Sequence, residues 1–437
     1  MAVVQTQTTP TEAPAGTPKT APTVTAEQIA IVKATAPVLK DHGVAITTLF
    51  YKNLIDDNPP LKNMFNLTAQ TTGAQPRALA NAVLAYATYI DEPQFLKHAI
   101  ERIAHKHASL QVEPAMYDLV GQYLIQAIGI VLGAAATPAI VDAWTAAYSV
   151  LADIFINREK VLYSEARSRD DIRGWVGWRK FRVARREAAD DARNIVSLYL
   201  EPVDGVPLPS YRPGQYVSLQ LFVPGLNLLQ SRQYSLSKVF DSQGSHYRIS
   251  VKRDNGRENT PRGIVSNMVH ALNEDDEVEL SQPQGEFVVE DNGSLEEQPP
   301  LVLLSAGVGA TAVFPILQQA AEDGQPASWL HGSHSLAAVP FEKGVQAIKA
   351  AHPDQVETQL FLTNAEPSAH ASMTISRLEI ASLTPADQTR LLRTDNTRTG
   401  YYICGPASFM LESRTALSEL GVAPDRIHLE LFATGDL

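Results

Sequence analysis

The chain has 437 residues, 44% of them hydrophobic and 19% charged, a net charge of −12 and one cysteine. That length carries about two to four domains, and the acidic balance disfavours a nucleic-acid surface, which needs a concentrated basic face. The lone cysteine, Cys404, excludes an internal disulfide and a cysteine-built zinc or iron–sulfur site, so any metal must be held by histidine or oxygen.

Residues 1–24 are rich in Thr, Pro, Ala and Gln with almost no charge, and they bury too little apolar surface to offset the entropy of ordering. A disordered tail is expected there. Lys19 is its one basic residue, so it lacks the Arg-rich amphipathic pattern of a mitochondrial presequence, and a cytoplasmic location is the expectation. Order begins at "TAEQIAIVKA", where Thr25 and Gln28 have the spacing of a capping box.

From residue 25 to 167 the apolar residues recur three and four apart, as in "GVAITTLFYKNLI", "PQFLKHAIERIAHKHASL" and "PAIVDAWTAAYSVLADIFINREKVLY". Pro59, Pro93, Pro114 and Pro138 punctuate the gaps, and an all-α domain is predicted. The longest apolar run, residues 127–141, is shorter than the roughly 18 residues of a membrane helix, so no transmembrane segment is expected. Residues 172–290 change to short β-like runs such as "NIVSLYLEPV" and "QYVSLQLFV" with turn residues between, and predict a β-domain. After the polar linker "EDNGSLEEQPP", residues 298–437 alternate continuous apolar strands with helices, which predicts an α/β domain with a parallel sheet.

Two histidines stand out in "ERIAHKHASLQVEP". On a helix, residues two apart point about 200° from one another, so His105 and His107 cannot face one metal together. Ile100, Ile103, Ala104 and His107 form an inward apolar stripe, whereas His98, Glu101, Arg102 and His105 form an outward polar one. His107 is the candidate ligand. Taken alone, a histidine on an apolar face is more often a hydrogen-bonded core residue.

The surrounding sequence, "HGVAITTLFYKNLIDDNPPLKNMFNLTAQTTGAQPRALANAV" followed by "IAHKHASLQV" and "LADIFINREKVLY", resembles the globin half of flavohaemoglobins, the nitric oxide dioxygenases. The resemblance implies that His107 is the proximal haem ligand, that Phe65, Leu79 and Lys106 belong to the haem pocket, and that Tyr51 and Gln75 lie on its distal side. Apolar walls exclude water, and a phenol and an amide can hydrogen-bond a polarised dioxygen. Tyr117 and Glu159 match the pair around the proximal histidine, where a carboxylate fixes the imidazole tautomer and raises its basicity. By themselves Phe65 and Leu79 could be plain core, and Glu159 could pair with Arg158 or Lys160.

The remaining half resembles the ferredoxin–NADP reductase superfamily, which implies that residues 172–290 form an antiparallel β-barrel that binds FAD. Its R-x-Y-S strand appears as "SRQYSLS", which implies FAD contacts from Arg232, Gln233, Tyr234 and Ser235, with Tyr216 on the neighbouring run. Gly263, Ser266 and Asn267 match the G-x-x-S segment, where a glycine lets a helix N-terminus approach the flavin phosphates. The loop before it, "DNGRENTPRG", is longer than the family spacing. "SAGVGATAV" matches the dinucleotide-phosphate loop, implying contacts from Gly307, Val308, Gly309, Ala310 and Thr311, and "YYICGPASFM" puts Cys404, Gly405 and Pro406 at a strand end near the nicotinamide. Ala312 stands where the family has proline, and "LELFATGDL" replaces the usual C-F-G-P. Phe432 there still matches the aromatic near the flavin, while Leu431 and Ala433 depart from the pattern.

The resemblance implies three cofactors: haem b, FAD, and NADPH or NADH. Nicotinamide delivers two electrons together and haem iron accepts one, so a flavin is the intermediary between them. The implied partners are nitric oxide, dioxygen and NAD(P)H, and the implied reaction is oxidation of nitric oxide to nitrate by a monomer. The alternatives are a haem-linked reductase of peroxides or other acceptors, and an oxygen-binding or sensing globin.

Overall fold

The computed structural model describes residues 21–170, 173–256, 261–290, 298–364 and 372–432. Most of the tail (residues 1–20), part of the long loop before Gly263, most of the linker and residues 433–437 lie outside that set.

Six helices form the first part: α1 (Ala26–Asp57), α2 (Leu67–Thr71), α3 (Ala74–Thr88), α4 (Lys97–Ser109), α5 (Pro114–Leu132) and α6 (Pro138–Ser168). The box that starts α1 is complete. The Gln28 N–H donates to Thr25 Oγ1 at 3.2 Å and the Thr25 N–H to Gln28 Oε1 at 2.9 Å, an arrangement worth about 1 kcal/mol. The run 43–55 continues that same helix, because Pro37 lies on its exposed face, where the carbonyl it leaves free meets water. Helices α1, α3, α5 and α6 enclose a core that includes Val32, Phe50, Leu54, Ile128 and Trp144. By length and composition, α5 and α6 could each cross a membrane; in this fold they contribute Leu124, Ile128, Trp144 and Phe155 to the domain core.

The second part is a sheet of β1 (Arg179–Ala188), β2 (Ile195–Pro202), β3 (Tyr216–Val223), β4 (Leu228–Ser235), β5 (Tyr247–Lys252) and β6 (Glu277–Leu280), with α7 (Ile264–Ala271) before β6. The order is β4-β3-β6-β1-β2-β5, antiparallel throughout. A bridge between Leu236, just past β4, and Ile249 of β5 joins the two edges, so the sheet closes as the expected barrel around Phe181, Leu198, Leu219 and Tyr247.

The third part has β7 (Leu301–Ala306), α8 (Ala310–Glu322), β8 (Ala327–Ser333), α9 (Glu342–Ala351), β9 (Val356–Leu362), β10 (Met373–Thr374), α10 (Pro385–Leu392), β11 (Gly400–Cys404), α11 (Ala407–Glu419) and β12 (Ile427–Glu430). All pairings are parallel, in the order β10-β9-β8-β7-β11-β12. Both faces are covered, which explains why Val302, Leu303 and Leu304 are all fully buried. The order reverses beside β7, so the crevice at the carboxyl ends of β7 and β11 is the place where such a sheet binds ligands.

Candidate functional site

Helix α4 presents His107 beside two groups from later helices. Its Nδ1 lies 2.9 Å from Glu159 Oε1 and 2.8 Å from the Tyr117 hydroxyl, and that hydroxyl donates to the same carboxylate oxygen at 2.5 Å. Glu159 is almost fully buried, and Phe155 packs against both rings. A buried carboxylate needs such donors, and an Nδ1–H pointed at it leaves Nε2 with a lone pair. Nε2 has no polar partner among the described residues, which fits an iron ligand. Burial and the neighbouring carboxylate hold the Tyr117 phenol well above its ordinary pKa, so it stays a donor.

Opposite this triad in the sequence argument stand Tyr51, Gln75, Phe65 and Leu79. The structure brings them together: Tyr51 is buried, its ring meets Phe65 edge-on at 5.4 Å, and Leu79 packs on the same cluster. Burial raises the Tyr51 phenol well above its usual pKa, and its hydrogen bond with Gln75 only partly offsets that. Gln75 is itself held by Gln70, whose Nε2 donates to Gln75 Oε1 at 3.0 Å.

The outward polar stripe of α4 faces the barrel. His105 Nδ1 stands 2.6 Å from Gln284 Oε1 and 3.2 Å from the Gly285 N–H, and Gln111 Nε2 reaches Gln282 Oε1 at 3.3 Å. A single-helix periodicity distinguishes apolar from polar faces but does not say whether the polar face meets water or another domain. Lys106 lies in the same region. Its ammonium is held below its usual pKa by burial and by Arg102 and Arg232, and Glu430 works against them. Those charged neighbours come from the globin, the barrel and the third part, which places Lys106 at the domain boundary. Glu430 is pushed up to about 8 and Glu286 to about 7, in each case chiefly by loss of water.

On the barrel, the motif Arg232–Ser235 occupies β4, the end strand of the sheet order. Alternation puts Gln233 and Ser235 on one face and Arg232 and Tyr234 on the other, so a planar ligand lying along this edge is reached from both. Two features fit an anionic, polar-edged cofactor. Among the described residues the Arg232 guanidinium is half-buried and forms no ion pair, and Ser235 Oγ is buried with no hydrogen-bond partner. Tyr216, directly across from Ser235, is buried against Gly285, where an added Cβ would press on the ring at 3.1 Å. Gly263 starts α7, and a Cβ there would meet Ser266 Oγ at 2.7 Å and Asp254 at 2.8 Å. Asn267 uses its amide to brace this turn, donating to the Asp254 and Gly263 carbonyls, each at 2.7 Å, so its contribution is to shape the helix start.

In the third part, Gly307 adopts φ 54°, a conformation glycine takes without strain, and a Cβ on Gly309 would lie 2.1 Å from the Cys404 carbonyl oxygen. The loop and the end of β11 therefore touch backbone to backbone. Thr311 donates to the Val308 carbonyl at 2.9 Å, and Ala310 and Thr311 are buried beneath the loop. A cavity of about 340 Å³ opens here, lined by Gly307, Val308, Pro406 and Phe409 and by the polar Lys252, His334 and Arg377. Gly405 packs on Phe409 and Ala306 behind it. The Cys404 thiol is buried and its pKa raised by burial, so its carbonyl side meets the loop and its sulfur does not line the cavity. Phe432 is exposed.

These three sites occur in one order in known proteins. Residues 48–155 match the globin family and residues 303–415 match the oxidoreductase NAD-binding domain. The flavohemoprotein of Bordetella pertussis is 42% identical over 412 residues, covering 93% of this chain and 98% of that protein. The chain belongs to the flavohemoprotein family. A second flavohemoprotein, from Deinococcus radiodurans, is 41% identical over 94% of this chain and 97% of its own length. Among solved structures, the flavohemoglobin of Malassezia yamatoensis with bound FAD and heme superposes with a TM-score of 0.79 at 28% identity, covering 94% of this chain and all of that one. The FAD/NAD-binding part of a nitric oxide dioxygenase from Vibrio cholerae matches 58% of this chain and 98% of its own, with a TM-score of 0.50 and 30% identity.

Within this flavohemoprotein, sequence reasoning missed the residues that join the sites. Gln230, 1% exposed, donates through Nε2 to the Lys62 and Phe65 carbonyls at 3.0 and 3.3 Å. Ser109 and Ser218 are fully buried and bonded to each other. A usable signal existed: Gln220 interrupts the largely apolar run of β3 and Gln230 directly follows the apolar pair Leu228 and Leu229, and a buried amide demands partners.

Proposed function

We propose that this flavohemoprotein is an NAD(P)H-dependent nitric oxide dioxygenase, with His107 as the proximal haem ligand. The observation that carries the reading is the His107–Glu159–Tyr117 triad in one chain with an unpaired arginine on a flavin-type edge strand and a glycine loop at the switch point of a parallel sheet. When bound, NAD(P)H supplies a hydride, FAD divides it into single electrons, and haem iron activates dioxygen. The overall balance is two nitric oxide and two dioxygen with one NAD(P)H, giving two nitrate, NAD(P)+ and one proton.

The chain's own groups have separable tasks. Glu159 accepts the Nδ1–H of His107 and makes the imidazole a stronger donor at Nε2, which favours oxygen activation over reversible storage. Tyr51, kept protonated by burial and held by Gln75, offers a fixed donor where negative charge accumulates on the oxidant. Phe65 and Leu79 keep water away from that donor. Arg232 offsets diphosphate charge, and Ser235 Oγ offers its free hydroxyl to the flavin edge. Gly307 and Gly309 let the backbone approach the nicotinamide dinucleotide closely.

The test is NAD(P)H consumption in aerobic buffer with and without nitric oxide, together with nitrate analysis and an absorption spectrum of the purified protein. The reading predicts haem and flavin bands, a rate stimulated by nitric oxide, and nitrate in a two-to-one ratio to NAD(P)H. A rate indifferent to nitric oxide and driven instead by peroxide would replace it with the peroxide-reductase reading.

A further inference from the structure

The strand carrying the flavin motif and the helix carrying His107 are joined by a thin file of hydrogen bonds. Gln233 Nε2 donates to Ser218 Oγ at 2.9 Å, Ser218 Oγ to Ser109 Oγ at 2.9 Å, and Ser109 Oγ to the Lys106 carbonyl at 2.8 Å. Each hydroxyl has one proton, and Ser109 gives its own to the Lys106 carbonyl, so Ser218 donates to Ser109 and accepts from Gln233; the Tyr216 side chain also hydrogen-bonds Ser109. Ser109 and Ser218 are 0% exposed. Ser218 lies directly across from Gln233 in the β3–β4 register, so its position follows from the sheet itself. The file starts at the residue between Arg232 and Tyr234 and ends on the carbonyl of the residue before His107.

We infer that Ser109, Ser218 and Gln233 are positioning residues that hold the iron-ligand helix in register with the flavin strand and so set the rate of electron transfer between the two sites. The inference rests on the function proposed above. Burying hydroxyls inside a domain boundary is costly unless both are paired, and alanine would have packed there without that demand. Electron tunnelling weakens steeply with separation, so a small slip of α4 along β3 is felt in the transfer rate. The Phe65 corner is held by the same strand through Gln230, which gives β4 a hold on the other side of the haem pocket and leaves the file as its link to the ligand helix. Simple adhesion between domains would need none of this direction or register.

The experiment uses the full-length protein loaded with haem and FAD. Under anaerobic carbon monoxide, stopped-flow mixing with NADPH follows flavin reduction and haem reduction in one trace, and ferricyanide reduction reports the reductase alone. In Ser109→Ala, haem reduction should slow about fivefold, the loss expected for one buried hydrogen bond, while ferricyanide reduction stays within about twofold of wild type. Ser218→Ala should do the same, and the double variant should be no slower than either single one because both cut one file. A second readout needs no turnover: amide hydrogen exchange over residues 105–112 should quicken in each variant. A wild-type haem-reduction rate in Ser109→Ala overturns the inference, as do equal falls in haem and ferricyanide reduction or fully additive single effects. Absence of haem or flavin bands in the wild-type protein would instead remove the proposed function.

Discussion

His105 and His107 are two residues apart on α4 and have different surroundings. His107 keeps its polar contacts inside the globin, with an acidic and a phenolic partner. His105 turns Nδ1 to the barrel, where it meets a neutral amide and a backbone N–H, while the Glu101 carboxylate stands 4.0 Å from its Nε2. Burial holds the His105 imidazole below its ordinary pKa, so near neutral pH it is an uncharged adhesive contact. The same side chain thus becomes an electron-rich ligand or a domain joint according to what the opposite element supplies.

The largest effect should come from removing the ligand. His107→Ala should purify with little or no haem while His105→Ala retains a full complement, as read from the ratio of haem absorbance to protein. Full haem in the His107 variant would break the comparison at its root. The flavin should be untouched in both, because neither ring meets β4.

Next in size is the opposite wall of the pocket. Tyr51 is a phenol kept protonated by burial, and a preorganised donor at developing charge is worth on the order of 3 kcal/mol. Tyr51→Phe should therefore release dioxygen about a hundredfold faster, with haem content and haem reduction unchanged. Carbon monoxide gathers little charge, so its dissociation is the control. Equal acceleration for both gases would make Tyr51 a packing residue and shift the donor role to Gln75.

Glu159→Gln sharpens the ligand half of the comparison. The amide can still meet His107 but no longer carries charge, and outer partners of this type change metal affinity or activity by about tenfold or more. The expected result is a haem reduction potential moved upward and nitric oxide turnover lowered by about that factor, with Tyr117 still in place. An unchanged potential would mean that the carboxylate only orients the ring.

These residues differ in how visible they were beforehand. The three-part order followed from changes in apolar period, and the choice of His107 over His105 followed from helix geometry, since both are local properties of sequence. The meaning of the polar stripe was not local. Whether Glu101, Arg102 and His105 face water depends on where the barrel docks, and that is set by Gln230, Gln282 and Gln284, which lie more than a hundred residues away. The place of Cys404 at a strand end was legible, but which of its groups faces the loop was not: the thiol turns into the core and the carbonyl meets Gly309. Only the register of β11 between β7 and β12 decides that.

The smallest effect concerns the joint. Gln284 is 2% exposed and its Oε1 lies 2.6 Å from the His105 ring, so His105→Leu strands a buried carbonyl oxygen. Such a loss costs about 1–3 kcal/mol, because the oxygen forgoes both water and its partner. Replacing both groups, His105→Leu with Gln284→Leu, removes the stranded atom along with the bond and should recover most of the loss, since paired apolar replacements are nearly neutral. Urea unfolding followed by barrel tryptophan fluorescence and by haem absorbance measures this in the two variants. The single variant should unfold at lower urea with its haem spectrum intact, and the double variant should return toward wild type. If the single variant changed the haem spectrum, the two faces of α4 would not be separable and the joint would be part of the ligand's own support. If the double variant were as weak as the single one, the ring would be holding the domains by shape, and the Gln284 contact would be incidental.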